Sequence, residues 1–297
     1  MLKAQGTLSM SSETNARTNV SSRLGPSARR LPGMVQAVIV ACFVILSCGA
    51  RLALAGPPFQ TDDPEPVPYK HWEAYTFSTY DGTALGSATQ GPAFEVNWGA
   101  VPDVQLHLVV PAAAALPPGG PDTFGLGDIE LGIKYRFVHE TAHRPEIGTF
   151  PFVEVPTGSP RAGLGNGRTW YRLPIWIQKS IGPWTTYGGG GEVLNSEPGT
   201  RNYPFGGWLL QRDLGKKLTL GGEIFAHGPE GVATLSNRSS TLADIGGYYY
   251  FRNPGFQLLF AVGHTIAGQP ESIAYLGLYW TWGPASPHAL LHDMTRF

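Results

Sequence analysis

The chain has 297 residues, a formal net charge of −1 and only 14% charged residues, so it lacks the basic balance of a nucleic-acid binder. Its 39 Gly, 26 Pro, 14 Phe and 12 Tyr describe many short strands joined by turns and argue against a helical enzyme core. The hydrophobic content of 42% is ordinary for a water-soluble protein, yet it is compatible with a membrane barrel, whose spanning strands need apolar side chains on one face only.

The first 28 residues are polar and carry no structural pattern. Arg29-Arg30, an apolar run from Val35 to Leu46 and the small-x-small triplet Ala53-Leu54-Ala55 then follow in order. A basic stretch, an apolar stretch and a small-residue site are the parts of a secretory signal peptide, which predicts export with cleavage near Ala55. A membrane anchor is the competing reading. Met34 to Leu46 falls short of the roughly 20 residues that cross a bilayer, and Arg51 interrupts any extension. Residues 1–55 are therefore assigned to an N-terminal extension and signal peptide. Both cysteines, Cys42 and Cys48, lie inside it, so the exported chain offers no disulfide framework, thiolate zinc site or thiol nucleophile. The match of Ile45-Leu46-Ser47-Cys48 to a lipoprotein processing site is weak, because Leu46 stands where a small residue is usual. The exported part keeps 15 basic and 21 acidic residues, a net charge of −6.

Residues 56–71 form an entry segment expected on the periplasmic side; whether it enters a lumen is left open. From Trp72 onward, stretches of eight to twelve residues alternate with period two, the spacing that puts alternate side chains on opposite faces of a strand. Twelve strands are predicted, at 72–80, 91–98, 104–110, 127–138, 146–155, 169–179, 185–193, 203–210, 218–226, 241–251, 256–264 and 272–282. The fourth is the clearest: Ile129, Leu131, Ile133, Tyr135 and Phe137 alternate with Glu130, Gly132, Lys134 and Arg136. Such contrast suits a sandwich with its charges in water, or a membrane barrel with its charges in the lumen.

The connections separate these two. Those after odd-numbered strands read as long (81–90, 111–126, 156–168, 194–202, 227–240 and 265–271), and those after even-numbered strands as mostly short, as in Gly99 to Asp103. An up-and-down meander with external loops at one end and tight turns at the other produces that alternation, whereas a Greek-key sandwich has no reason to. Trp72, Tyr80, Trp98, Trp170, Trp184, Trp208, Trp280 and Trp282 fall mostly near predicted strand ends, where interfacial aromatic girdles lie. Glycines at Gly188 to Gly191, Gly206-Gly207, Gly221-Gly222 and Gly246-Gly247 sit inside strands, where they permit curvature or close packing in the lumen. The fold class is thus all-β, a single antiparallel up-and-down transmembrane β-barrel of about twelve strands over 72–282, with a C-terminal tail at 283–297.

The run Phe124-Gly125-Leu126-Gly127-Asp128 to Phe137, the glycine-rich stretches Pro156-Thr157-Gly158 and Gly163-Leu164-Gly165-Asn166-Gly167, and the segment Pro58 to Pro64 together resemble the outer-membrane "MetA-pathway of phenol degradation" family. The resemblance covers nearly all of 57–282. It implies a transporter-like barrel with a role in uptake of aromatic or other hydrophobic compounds, and it carries no catalytic residues.

Chemistry was sought along the same strands. The histidines are dispersed, but His139-Glu140-Thr141-Ala142-His143 matches the letters of the zinc-peptidase motif His-Glu-x-x-His. That motif needs a helix and a third ligand, while Pro145 follows at once and a strand ends nearby, so a polar turn is expected and no metal or other cofactor is assigned. Glu130, Lys134, Arg136, Glu154 and Arg172 are the candidates for a lumen-facing selectivity site; an ion-pair network that merely satisfies its own charges is the alternative role. The expected function is passive passage of small, aromatic or hydrophobic molecules across the outer membrane of a Gram-negative-type bacterium, not catalysis. A plugged structural or adhesive barrel and a barrel-embedded hydrolase are the alternatives. The partners implied are outer-membrane lipid, a small-molecule substrate and the barrel-assembly machinery, with no nucleic acid.

Overall fold

The computed structural model describes residues 57–83, 86–115, 123–196, 199–230, 239–252 and 255–284. The expected signal peptide and cleavage site and most of the expected C-terminal tail lie outside the described residues. The described chain forms one closed antiparallel barrel. Its strands are β1 (Trp72–Thr83), β2 (Gly86–Val101), β3 (Val104–Ala115), β4 (Thr123–Leu126), β5 (Ile129–Val138), β6 (Glu146–Thr149), β7 (Phe152–Val155), β8 (Trp170–Ile181), β9 (Trp184–Asn195), β10 (Tyr203–Asp213), β11 (Leu218–His227), β12 (Ser240–Tyr250), β13 (Phe256–Gly268) and β14 (Glu271–Trp282). These make twelve staves. β4 and β5 both pair with β3 and continue one another across a break at Gly127-Asp128; β6 and β7 both lie between β5 and β8 and continue one another across Phe150-Pro151.

Closure comes from β1 and β14, which pair without a break from Trp72↔Trp282 to Thr83↔Glu271. The pairing of the first strand with the last closes the sheet on itself, the condition for placing it in hydrocarbon. The side chains are distributed inside out. Along β5, Leu131, Ile133, Tyr135 and Phe137 are exposed on the outer wall, while Glu130 and Lys134 are buried within. Phe94, Val96, Leu106, Leu108, Leu173, Ile175, Leu210, Ile224, Ile245, Val262 and Leu276 extend the exposed apolar wall around the circumference. A continuous apolar belt over a charged interior is unfavourable in water and matches a lipid bilayer.

The loop reading needs correction at three places; within the connection expected at 111–126, residues 111–115 continue β3 and 123–126 form β4. β1 runs to Thr83 and β2 starts at Gly86, so the long connection expected at 81–90 is mostly strand. Likewise β13 runs to Gly268 and β14 starts at Glu271, in place of a loop over 265–271. The latter two misreadings come from Gly, Ser and Thr, turn formers that here sit in a ladder already held by its neighbours on both sides. The aromatic girdle also divides. Trp72 stacks between Trp98 (5.4 Å) and Trp282 (6.3 Å) at the end of the barrel carrying the tight turns, and Trp184 is exposed at the same end. Trp170, by contrast, points inward and is fully buried, because β8 starts with its Trp, Arg172 and Pro174 on the lumen side.

Candidate functional site

The lumen is filled from the turn end by the protein's own N-terminal segment. Phe59, Thr61, Asp62, Pro64 and Val67 are all buried inside the barrel. The segment spans the interior, because its contacts come from staves spread around the wall. Glu223 on β11 accepts the backbone N–H groups of Gln60 (2.8 Å) and Thr61 (2.5 Å). Lys134 on β5 donates to Asp62 (3.0 Å), and Gln105 on β3 accepts from the Val67 N–H (2.9 Å). Arg172 on β8 lies 3.5 Å from the Gln60 carbonyl. Burial pushes the Asp62 carboxyl above the usual carboxylate range, against the opposing pull of the Lys134 ammonium.

Glycines make room for this backbone. A Cβ on Gly207 would strike the Thr61 hydroxyl, one on Gly148 would sit 2.9 Å from the Pro64 carbonyl oxygen, and one on Gly99 would strike the Pro68 carbonyl. Inward positions that would ordinarily carry a side chain are therefore empty where the segment crosses the wall.

The five candidate residues divide among different tasks. Lys134 and Arg172 hold the N-terminal segment. The Arg172 guanidinium is also boxed by aromatics, 4.0 Å from the Phe205 ring centre and within 6.0 Å of those of Phe152, Trp176 and Phe225. These rings belong to an inward, mostly aromatic apolar cluster that also includes Trp170, Tyr203 and Leu242 and packs inside the barrel. Glu130 and Glu154 face each other in register across β5 and β7. Each is satisfied locally: Glu130 by His107 Nε2 (2.7 Å), Glu154 by Trp170 Nε1 (2.7 Å) and Asn166 Nδ2 (2.6 Å). Arg136 stands apart at the turn end, paired with Asp103 (2.8 Å) and near Glu146 (3.5 Å).

Several lumenal residues were missed by the sequence reading. Glu95, Asn97, His107 and Glu130 form one chain of hydrogen bonds across β2, β3 and β5, with Asn97 Nδ2 to Glu95 at 2.8 Å and His107 Nδ1 to Asn97 at 2.7 Å. Glu73 on β1 accepts from the phenols of Tyr279 (2.8 Å) and Tyr75 (3.2 Å). The signal was present, since each charge sits at an inward step of a period-two strand. The segment 57–68 and this side of the barrel enclose a polar cavity of about 260 Å³, lined among others by Asp62, Glu73, Tyr75, Glu95, His107 and Lys134.

At the opposite end the two glycine-rich motifs dock on each other. Asp128, in the break between β4 and β5, accepts the backbone N–H groups of Gly158 (2.9 Å) and Asn166 (2.5 Å). The Thr157 hydroxyl accepts from the Ile129 N–H (3.0 Å) and donates to the Gly127 carbonyl (2.7 Å). A Cβ on Gly165 would collide with the Asp128 carboxylate, and this close approach requires glycine there.

The letters of the zinc-peptidase motif occupy an irregular turn between β5 and β6. Glu140 accepts from Lys179 (2.7 Å), and His139 lies against Asp103 (3.1 Å), so the three residues do not converge. Among the described residues no group of three His, Cys, Asp or Glu side chains is placed to hold a metal ion.

No family model matches the chain, and no curated protein matches it. Among solved structures, the fold is similar to an outer membrane channel from Pseudomonas putida F1, with a TM-score of 0.61 and 14% identity over 74% of this chain and 98% of that one. The NanC porin (TM-score 0.49, 7% identity, 70% of this chain and 98% of that one) and a KdgM porin in complex with disordered oligogalacturonate (TM-score 0.49, 8% identity, 71% and 99%) are more distant. At these identities the likeness extends to the fold alone.

Proposed function

We propose that the protein is an outer-membrane channel for passive passage of small molecules, held in a narrow state by its own N-terminal segment. The polar cavity of about 260 Å³ beside residues 57–68 carries this reading. A barrel built only as a structural element gains nothing from leaving ionisable side chains around an unfilled space, because each such group is costly to bury without a partner. The inside-out side chains place the barrel in a membrane, and the similarity to an outer membrane channel supports the outer membrane as its site.

The solute is proposed to be small and aromatic or hydrophobic. The rings of Tyr75, Phe150 and Tyr279 line the cavity and offer it apolar contact, and the resemblance to the phenol-degradation family points the same way. The buried segment 57–68 also favours a second reading, a barrel permanently plugged.

Recording single-channel current from the exported chain (56–297) and from a chain beginning at residue 69 separates the two. Small discrete steps from the first and larger ones from the second support a channel with a built-in constriction. Silence from the first and steps from the second, with both barrels folded and inserted, support the permanently plugged barrel.

A further inference from the structure

The cavity beside the N-terminal segment has a lining whose chemistry selects a class of ligand. Five carboxylates line it: Asp62, Asp63 and Glu65 from the segment, Glu73 from β1 and Glu95 from β2. Lys134 answers Asp62 through one carboxylate oxygen only. The other, Asp62 Oδ2, is buried and has no hydrogen-bond partner, in a residue only 2% exposed. A buried carboxylate oxygen left unpaired at a cavity wall is expensive, and a donor supplied from outside would relieve it.

The phenol rings of Tyr75 and Tyr279 stand on the same wall, 4.7 Å apart between centres, with both hydroxyls turned to Glu73. Their rings are therefore tied in place and contribute aromatic surface beside negative charge. Carboxylate next to ring is the pairing that recognises an organic ammonium, through a charge-assisted hydrogen bond at the head and cation–π and apolar contact along the body.

A bare metal ion does not fit the same lining. Among the described residues no three acidic or histidine side chains converge as ligands, and the space would hold roughly nine waters at about 30 Å³ each. An anion meets more carboxylates than cations. A neutral aromatic fills the volume but leaves the Asp62 oxygen unanswered.

We infer that this cavity is a binding site for a small organic monocation, an amine carried on an aromatic or short apolar body. The inference rests on the channel reading for its biological use, but the binding itself stands without conduction.

The test is calorimetric titration of the folded exported chain in detergent with benzylamine, and with its uncharged and anionic counterparts benzyl alcohol and benzoate. Benzylamine is expected to bind at one site at least about tenfold more tightly than benzyl alcohol, and benzoate not at all. Glu95→Gln and Glu73→Gln, which keep size and hydrogen bonding, are each expected to reduce that preference. Equal affinity for benzylamine and benzyl alcohol, or no saturable benzylamine binding, would overturn the assignment. Should a variant fail to fold, the comparison of the three compounds on the unaltered chain decides. Single-channel recording on the same preparation keeps the two readings apart: a conducting barrel that does not bind benzylamine removes this site and leaves the channel, whereas a silent barrel that binds it preferentially supports the site and removes the channel.

Discussion

The Lys134 ammonium lies 3.0 Å from the Asp62 carboxylate, joining the barrel wall to a residue 72 positions earlier in the chain, with both side chains buried. The pair fixes the N-terminal segment against β5, and neither charge has bulk water to fall back on. Removing one partner of a buried pair strands the other, at about 3–5 kcal/mol. Lys134→Met is expected to lower stability by that order in denaturant unfolding and to enlarge single-channel conductance. The double variant Lys134→Met/Asp62→Asn, which strands no charge, is expected to recover part of the lost stability while keeping the larger conductance. A double variant no more stable than the single one would show that the pair does not act as a unit.

Gly207 is a seat for the segment: a Cβ there would strike the Thr61 hydroxyl and sit 2.7 Å from the Phe225 ring. Thr61 belongs to irregular backbone, whereas Gly207 is held in the β10 ladder against Phe225 on one side and Gly189 on the other. The segment, not the strand, is expected to yield. Gly207→Val should therefore speed amide exchange in residues 57–68 by about tenfold or more while the barrel strands keep their protection. Unchanged exchange in that segment would mean that the glycine is not what admits it.

The barrel was legible in the sequence because its physics is local and repeated. Period-two alternation in Ile129 to Phe137 assigns a face to every residue, and the exposed Leu131 and buried Lys134 follow it. Loop lengths were less legible. Gly82 and Gly268 carry turn chemistry in isolation, but β1 and β14 form a ladder reaching Thr83↔Glu271, and β13 is carried with them. The plug was the least legible part. Residues 57–68 have no periodicity, and their burial depends on partners on β3, β5 and β11 brought together only when the barrel closes. Its trace in the sequence lay in the partners, as glycines at inward positions and as charges such as Glu223 at inward steps of otherwise apolar strands.

Asp128 organises the other end of the barrel. It accepts the N–H groups of Gly158 and Asn166, and Gly165 packs against the same carboxylate. Asp128→Ala leaves both donors unmet, each costing about 1–3 kcal/mol where it stays buried. The expected result is a lower unfolding midpoint together with fast exchange at Gly158 and Asn166, since the loop can restore solvation only by lifting away. Lost stability with both amides still protected would count against this role.

Charge in the cavity should set ion preference if ions pass beside the segment. Asp62, Glu73 and Glu95 line the cavity, and their fields act in a confined space where screening is weak. A cation-selective reversal potential in a salt gradient is therefore expected from the unaltered chain, and Glu95→Gln should shift it toward zero. Arg136 offers the internal comparison. It lies at the turn end, about one-fifth exposed and already neutralised by Asp103 and Glu146, and it does not line the cavity. Reversing it with Arg136→Glu should move the reversal potential less than Glu95→Gln does, even though the formal change is twice as large. The opposite ranking would place the selective step at the turn-end mouth and return Arg136 to the role its strand position first suggested.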